Sequence, residues 1–203
     1  MKTTFILIRH AQSTAKERGL VQGRGESEPL SELGLKQIEQ YAQNCTAWHI
    51  DKLFSSTSVR ASETAKPLLA LFPLVPYEEI ESLHERSKGD AEGMQKEVFK
   101  QTYPEIEAAW EEGQDPCVPN GESIEDVETR VMPILISHKD AYEGQTLVYV
   151  IHGNVIRSIV GGILKVPFGL RGRIGCDYCS ATRLTFDHER NRFEVASVNV
   201  SLL

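Results

Sequence analysis

Two histidines stand at the same kind of place in this chain. Phe5-Ile6-Leu7-Ile8 runs straight into Arg9-His10 and then Ala11, and Leu147-Val148-Tyr149-Val150-Ile151 runs into His152-Gly153-Asn154. Short apolar runs of this length read as buried strands. In open α/β sheets, ligands collect at the carboxyl ends of the strands. Two strands that each deliver a histidine there, the first beside an arginine, outline a pocket suited to a phosphate. An imidazole can attack phosphorus or donate a proton, and a guanidinium presents a fork of N–H donors that matches phosphate oxygens. The chemistry indicated is phosphoryl transfer, which needs a nucleophile, charge stabilisation on the transferring oxygens and a proton for the leaving alkoxide.

Further segments extend the pattern along most of the chain. They are Gln22-Gly23 followed by Pro29-Leu30-Ser31-Glu32-Leu33-Gly34, the block Ser55-Ser56-Thr57-Ser58-Val59-Arg60-Ala61-Ser62-Glu63-Thr64-Ala65, and Leu83-His84-Glu85 with Gly89, Glu92 and Gly93. Gly121-Glu122-Ser123 with Arg130, and His152-Gly153 with Val155-Ile156-Arg157, complete the series. Together with Arg9-His10-Ala11-Gln12-Ser13, these six motifs in this order resemble the histidine phosphatase superfamily, the phosphoglycerate mutase-like family. Two positions depart from that pattern. Ala11 stands where glycine is usual, a change that fits if the backbone there does not need a positive φ. Lys16 stands where many members carry an asparagine that helps hold the phosphate, and it is not among the expected contacts.

The resemblance implies a role for each site residue. His10 is the nucleophile, neutral at the attacking nitrogen, and forms a phosphohistidine that water then hydrolyses. Arg9 and Arg60, with His152 as a further donor if protonated, stabilise the phosphoryl oxygens in place of a magnesium ion. Glu85 is the general acid that protonates the leaving oxygen. Gln22, Gly23 and Asn154 are secondary phosphate contacts, with capping of the following helix as the other reading of Asn154. No metal or other cofactor is expected, because Glu78, Glu79 and Glu81 lie on an acidic stretch without a partner set of ligands.

Three activities share this fold, so the fold alone does not decide between them. A cofactor-dependent phosphoglycerate mutase needs extra cations for the substrate carboxylate, and residues 94–120 contain no arginine and only Lys96 and Lys100. Arg86, beside Glu85, is the one residue that favours a mutase. A non-catalytic phosphate-binding relative is expected to lose His10, His152 or Glu85, and this chain keeps all three. A phosphatase acting on small phosphate monoesters is the expected activity.

The elements that must position these residues alternate. Strands are predicted over 3–8, 52–55, 77–80 and 146–151, with a terminal hairpin over 181–187 and 192–200. Helices follow Ser31, with an apolar face of Leu35, Ile38 and Ala42, and run from Ala61, where Pro67 should kink or end the helix early. A capping box, Ser123 with Asp126, opens another helix with Ile124, Val127, Val131 and Ile134 as its buried stripe and Pro133 within it. A last helix spans 155–164, where Gly161-Gly162 is expected to allow close approach to the sheet. Residues 86–120 read as a helical, lid-like insertion that covers the pocket. This βαβ order predicts an α/β fold with a mostly parallel sheet and helices on both faces. The resemblance implies a three-layer αβα sandwich of this kind with one antiparallel edge strand.

The 203 residues fit a single domain, and apolar residues at 40 % with charged residues at 25 % place the chain among globular proteins. A net charge of −7 leaves no general basic field for nucleic acid or an anionic membrane, so the cations for an anionic substrate must be local. No membrane span or signal-peptide core is expected, which points to the cytoplasm. Cys45, Cys117, Cys176 and Cys179 read as free structural thiols, since no second Cys-x-x-Cys completes a zinc site. His49, His138 and His188 are expected at the surface, and Trp48 and Trp110 in packing or lid positions.

Overall fold

The computed structural model describes residues 1–25 and 27–203. Six strands form one sheet: β1 (Lys2–Arg9), β2 (Lys52–Ser55), β3 (Tyr77–Glu79), β4 (Thr146–Ile151), β5 (Ser180–Asp187) and β6 (Arg192–Ser201). Their spatial order is β3-β2-β4-β1-β5-β6. The first four are mutually parallel. β5 runs antiparallel to β1 and pairs with the outermost strand β6, so the antiparallel edge is a hairpin.

Alternation along β1 divides its side chains between two helical layers. Phe5 and Leu7 pack with Leu147, Tyr149 and Ile151 of β4 against α6 (Ile124–Ala141) and α7 (Gly153–Leu164). Ile8 packs with Val148, Val150 and Leu53 against α2 (Glu32–Asn44) and α3 (Val59–Leu71). This is the expected three-layer sandwich. A third cluster of Ala91, Phe99, Ile106 and Val118 holds α4 (Lys96–Thr102) and α5 (Pro104–Glu111) together, with Val21, Met94, Tyr103 and Trp110 packed around it. Among the described residues no helix is long and apolar enough to cross a membrane.

Several local expectations are corrected. Pro67 does not end its helix early, and Pro133 lies within its helix as expected. α3 continues to Leu71 beyond Pro67, anchored by the fully buried Leu68, and α6 runs on through Pro133, which is exposed. A carbonyl that loses its helical partner toward solvent still finds water. The buried face of α2 is Gly34 and Tyr41, with Ile38 half-buried, whereas Leu35 is 48 % exposed. The stripe on α6 ends at Leu135, and Ile134 is only half-buried. Gly161 and Gly162 make room for the Arg171 side chain and the Glu128 carboxylate, which pair across them, and not for the sheet. His138 and His188 are packed: His138 stacks on Phe54 with ring centroids 4.5 Å apart and bonds Tyr149 Oη, and His188 bonds Thr3. A short helix, α1 (Thr14–Glu17), stands between β1 and α2.

Candidate active site

β1 and β4 are parallel neighbours in register, with Arg9 opposite Ile151, so His10 and His152 emerge side by side. The His10 amide donates to the Ile151 carbonyl at 2.9 Å, and the two imidazole centroids lie 5.0 Å apart. His10 Nδ1 is 2.7 Å from the Ala11 carbonyl oxygen. A carbonyl can only accept, so Nδ1 carries the proton and Nε2 keeps its lone pair. Burial, then the positive charges of Arg60 and Arg9, hold His10 well below the ordinary histidine range, so the ring is neutral. Ala11 is fully buried and is not among the residues with positive φ, which is why the methyl fits.

His152 occupies the N-cap of α7 and is fully buried. Its Nε2 faces Ser56 Oγ at 2.9 Å and Ser58 Oγ at 3.3 Å. Ser58, at the N-cap of α3, thus turns its hydroxyl to His152 and makes no side-chain cap. Burial first, then Arg60 and His10, push His152 well below its usual range. A protonated His152 is therefore not the resting form. A neutral ring held at Nε2 by hydroxyls still has Nδ1 available as a donor.

Arg60 is fully buried within α3, and its guanidinium is partly engaged already. Nη1 donates to Gly25 O at 2.6 Å and Nη2 to Gly23 O at 3.0 Å. Its fork closes the loop after Gln22, and Nε is without a partner among the described residues. Gly23 serves this packing, because a Cβ there would meet the Glu92 carboxylate at 2.2 Å. Arg9 Nη1 donates to the Cys176 carbonyl, and its guanidinium carbon lies 3.9 Å from the Tyr178 ring centroid. Gln22 accepts from Ser13 Oγ at 3.0 Å, and its Nε2 is buried and unpaired among the described residues.

Glu85 follows a 3-10 turn (Glu81–Leu83) and is 8 % exposed. Its Oε1 accepts from the amides of Arg86 at 2.8 Å and Asn154 at 3.2 Å. The helix start that carries His152 thereby also holds Glu85. Asn154 lies inside α7 and is not its cap, so the capping reading is replaced by this contact. Arg130 fixes the acid loop from behind, donating to the Ser82 and Glu85 carbonyls and to Glu122.

Arg9, His10, Gln22, Glu85 and Asn154 line one cavity of about 190 Å³; His152, whose ring adjoins that of His10, and also Arg60 and Gly23 are not part of its lining. Six residues of this cavity were not among the predicted site residues: Lys16, Leu20, Lys96, Gly153, Arg157 and Tyr178. Tyr178 was hidden inside the Cys176–Cys179 spacing, whose thiols burial raises to about 11 and about 12. Lys16 carried a signal, as a basic residue at a departure from the motif.

The sequence matches the family model of the histidine phosphatase superfamily (branch 1) over residues 5–199. It is 31 % identical over 188 residues to phosphoserine phosphatase 1 of Hydrogenobacter thermophilus, covering 92 % of this chain and 88 % of that one. It is also 31 % identical over 172 residues to a 2,3-bisphosphoglycerate-dependent phosphoglycerate mutase of Rhizobium etli, covering 81 % of each. The structure superposes on Bacillus stearothermophilus YhfR with a TM-score of 0.88 at 28 % identity, covering 98 % of this chain and 97 % of the other. With the paired histidines, the buried arginines and this correspondence along nearly its whole length, the chain belongs to the histidine phosphatase superfamily.

Proposed function

We propose that the protein hydrolyses small phosphate monoesters in two steps through a phosphohistidine on His10. One observation carries this reading. Among the described residues, Arg9 Nε, Arg60 Nε, Gln22 Nε2 and His152 Nδ1 are buried nitrogens without hydrogen-bond partners, and they come from four separate segments around one imidazole. Buried donors are nearly always paired in native proteins, so four orphans around a nucleophile suit the oxygens of a phosphoryl group. His10 Nε2 attacks phosphorus, these donors hold the equatorial oxygens, and Glu85 delivers its proton to the departing alkoxide. The resulting Glu85 carboxylate takes a proton from water, which breaks the P–N bond and releases inorganic phosphate. The positive charge needed comes from side chains, so no metal or other cofactor takes part. Residues 86–120 act as a lid within a single domain.

Arg86 supports a phosphatase over a mutase. It is nearly fully buried, pairs with Asp115 at 3.1 Å and donates to the Glu122 and Pro116 carbonyls, so it is not free to receive a substrate carboxylate. The relatives named above include a phosphatase and a mutase, so the acceptor of the phosphoryl group has to be measured. Cytoplasmic action suits three buried, unpaired cysteines. Inorganic phosphate should accumulate from small phosphate esters in the presence of a chelator. His10→Ala should abolish this while leaving the unfolding transition in place. Rapid conversion of 3-phosphoglycerate to 2-phosphoglycerate without phosphate release would establish a mutase instead, and chelation that stops turnover would overturn the metal-free site.

A further inference from the structure

Tyr178 lines the cavity beside Arg9 but has no part in the transfer proposed above. It belongs to the segment 176–179 ahead of β5, which holds Arg9 at three points. The Cys176 carbonyl accepts from Arg9 Nη1, and the Tyr178 ring covers the guanidinium, its centroid 3.9 Å from the central carbon. The Cys179 amide donates to the Arg9 carbonyl at 3.1 Å. A guanidinium on a flexible stem is an imprecise donor until its plane is fixed. A carbonyl and an aromatic face fix that plane without spending the positive charge, whereas a carboxylate would neutralise it. Nε, without a partner among the described residues, is what Arg9 keeps for the phosphoryl oxygens.

The segment is itself held from the outermost strand of the sheet. Between the pairs Ala181–Val200 and Arg183–Ser197, β6 has two residues, Val198 and Asn199, where β5 has only Thr182. An extra residue of this kind is a bulge, which bends an edge strand and re-aims a side chain. Asn199 takes a φ of 56° there, in the left-handed region that asparagine tolerates. Its side chain grips Asp177 twice: the Asp177 amide donates to Asn199 Oδ1 at 2.6 Å, and Asn199 Nδ2 donates to Asp177 Oδ2 at 2.8 Å. The Thr182 hydroxyl accepts from the Asn199 amide at 3.3 Å and pins the bulge. Asp177 stands between the carbonyl and the ring that hold Arg9. We propose that Tyr178 and, through Asp177, the bulge at Asn199 are positioning residues that aim Arg9 at the transferring phosphoryl group. This rests on the phosphatase reading and adds to it two residues that act on the reaction through Arg9.

The test reads the aim of Arg9 and its effect on the reaction separately. In proton–nitrogen correlation spectra the Arg9 Nε–H signal, assigned by its loss in Arg9→Lys, should lie upfield because the Tyr178 ring shields it. Tyr178→Leu should remove that shift and Tyr178→Phe should keep it. Asn199→Gly, which accepts the same φ but lacks the grip on Asp177, should reduce it. On p-nitrophenyl phosphate, Tyr178→Leu and Asn199→Gly should each lower kcat by about tenfold or more, with KM within about threefold, because a misaimed donor is missed mainly in the transition state. Tyr178→Phe should restore kcat to within about twofold of the wild type. An Arg9 signal unmoved by Asn199→Gly, a moved signal with unchanged kcat, or losses carried wholly by KM would overturn the proposal. Equal losses in Tyr178→Leu and Tyr178→Phe would overturn the role of the ring. If the wild-type protein does not hydrolyse the ester, the phosphatase reading fails by itself, and calorimetric binding of vanadate replaces kcat. That affinity should then weaken by about tenfold in Tyr178→Leu and Asn199→Gly, and equal affinities in all the proteins would overturn the positioning.

Discussion

At the scale of single residues, the site is organised by what each donor or acceptor has left over. His10 has Nδ1 fixed by the Ala11 carbonyl, and Glu85 is held by the Arg86 and Asn154 amides. The role of Glu85 makes a prediction that depends on the leaving group. A proton matters most when the departing oxygen is strongly basic, as in an alkyl phosphate, and hardly at all for nitrophenolate. In single-turnover measurements Glu85→Gln should slow phosphoenzyme formation from a sugar phosphate by about 100-fold or more, and far less from p-nitrophenyl phosphate. Equal slowing on both would make Glu85 a structural or binding residue. His10, His152 and Arg9 were legible because strand ends and side-chain chemistry are local properties. The diversion of the Arg60 fork to the Gly23 and Gly25 carbonyls was not, because it depends on how a distant loop folds back.

At the scale of elements, the loop behind His10 is fixed by the start of α2. Ser31 accepts from the Gly34 amide and donates to Gln12, while the Gln12 amide is held by Gln37. A Cβ on Gly34 would stand 2.1 Å from the Gln12 carbonyl oxygen, a backbone atom with little freedom to yield. Gly34→Ala should therefore cost about 1–3 kcal/mol of stability and lower turnover by displacing the residues that follow His10. Paired urea titrations and initial rates would show this, and an unchanged midpoint would mean that the helix start shifts freely. Strands 52–55 and 146–151, and the capping box at Ser123, agree residue for residue with the sequence reading. Apolar runs and caps are written locally. Pro67 misled because whether a helix continues past a proline depends on its packing. The α2 face was misread because Leu35, at helical spacing, points away from the sheet while Tyr41 points toward it.

At the scale of the whole molecule, the fold must keep two neutral imidazoles inside a pocket bordered by arginines. This couples global stability to pH. His10 and His152 are held well below the ordinary histidine value of 6.5 when folded, so in mild acid the unfolded chain takes up protons that the folded protein refuses. Stability contributed by the neutral rings is complete above about pH 6.5 and is lost as pH falls below it. Two such groups give a limiting slope of about 2.7 kcal/mol per pH unit. His138, also lowered by burial, adds to it. Carboxylates held below their ordinary range, Glu122 and Asp126 among them, begin to contribute only when pH falls below about 4.5. The interval from pH 6.5 down to 4.5 therefore belongs to the histidines. Urea midpoints measured at pH 7.5, 6.5, 5.5 and 5.0 should be level at first and then fall steeply. His10→Asn/His152→Asn should flatten most of that fall, whatever its effect on the absolute midpoint. A wild-type midpoint that stays level to pH 5 would mean that both rings accept protons in the folded protein, and the neutral nucleophile at His10 would then have to be abandoned along with the neutral donor at His152.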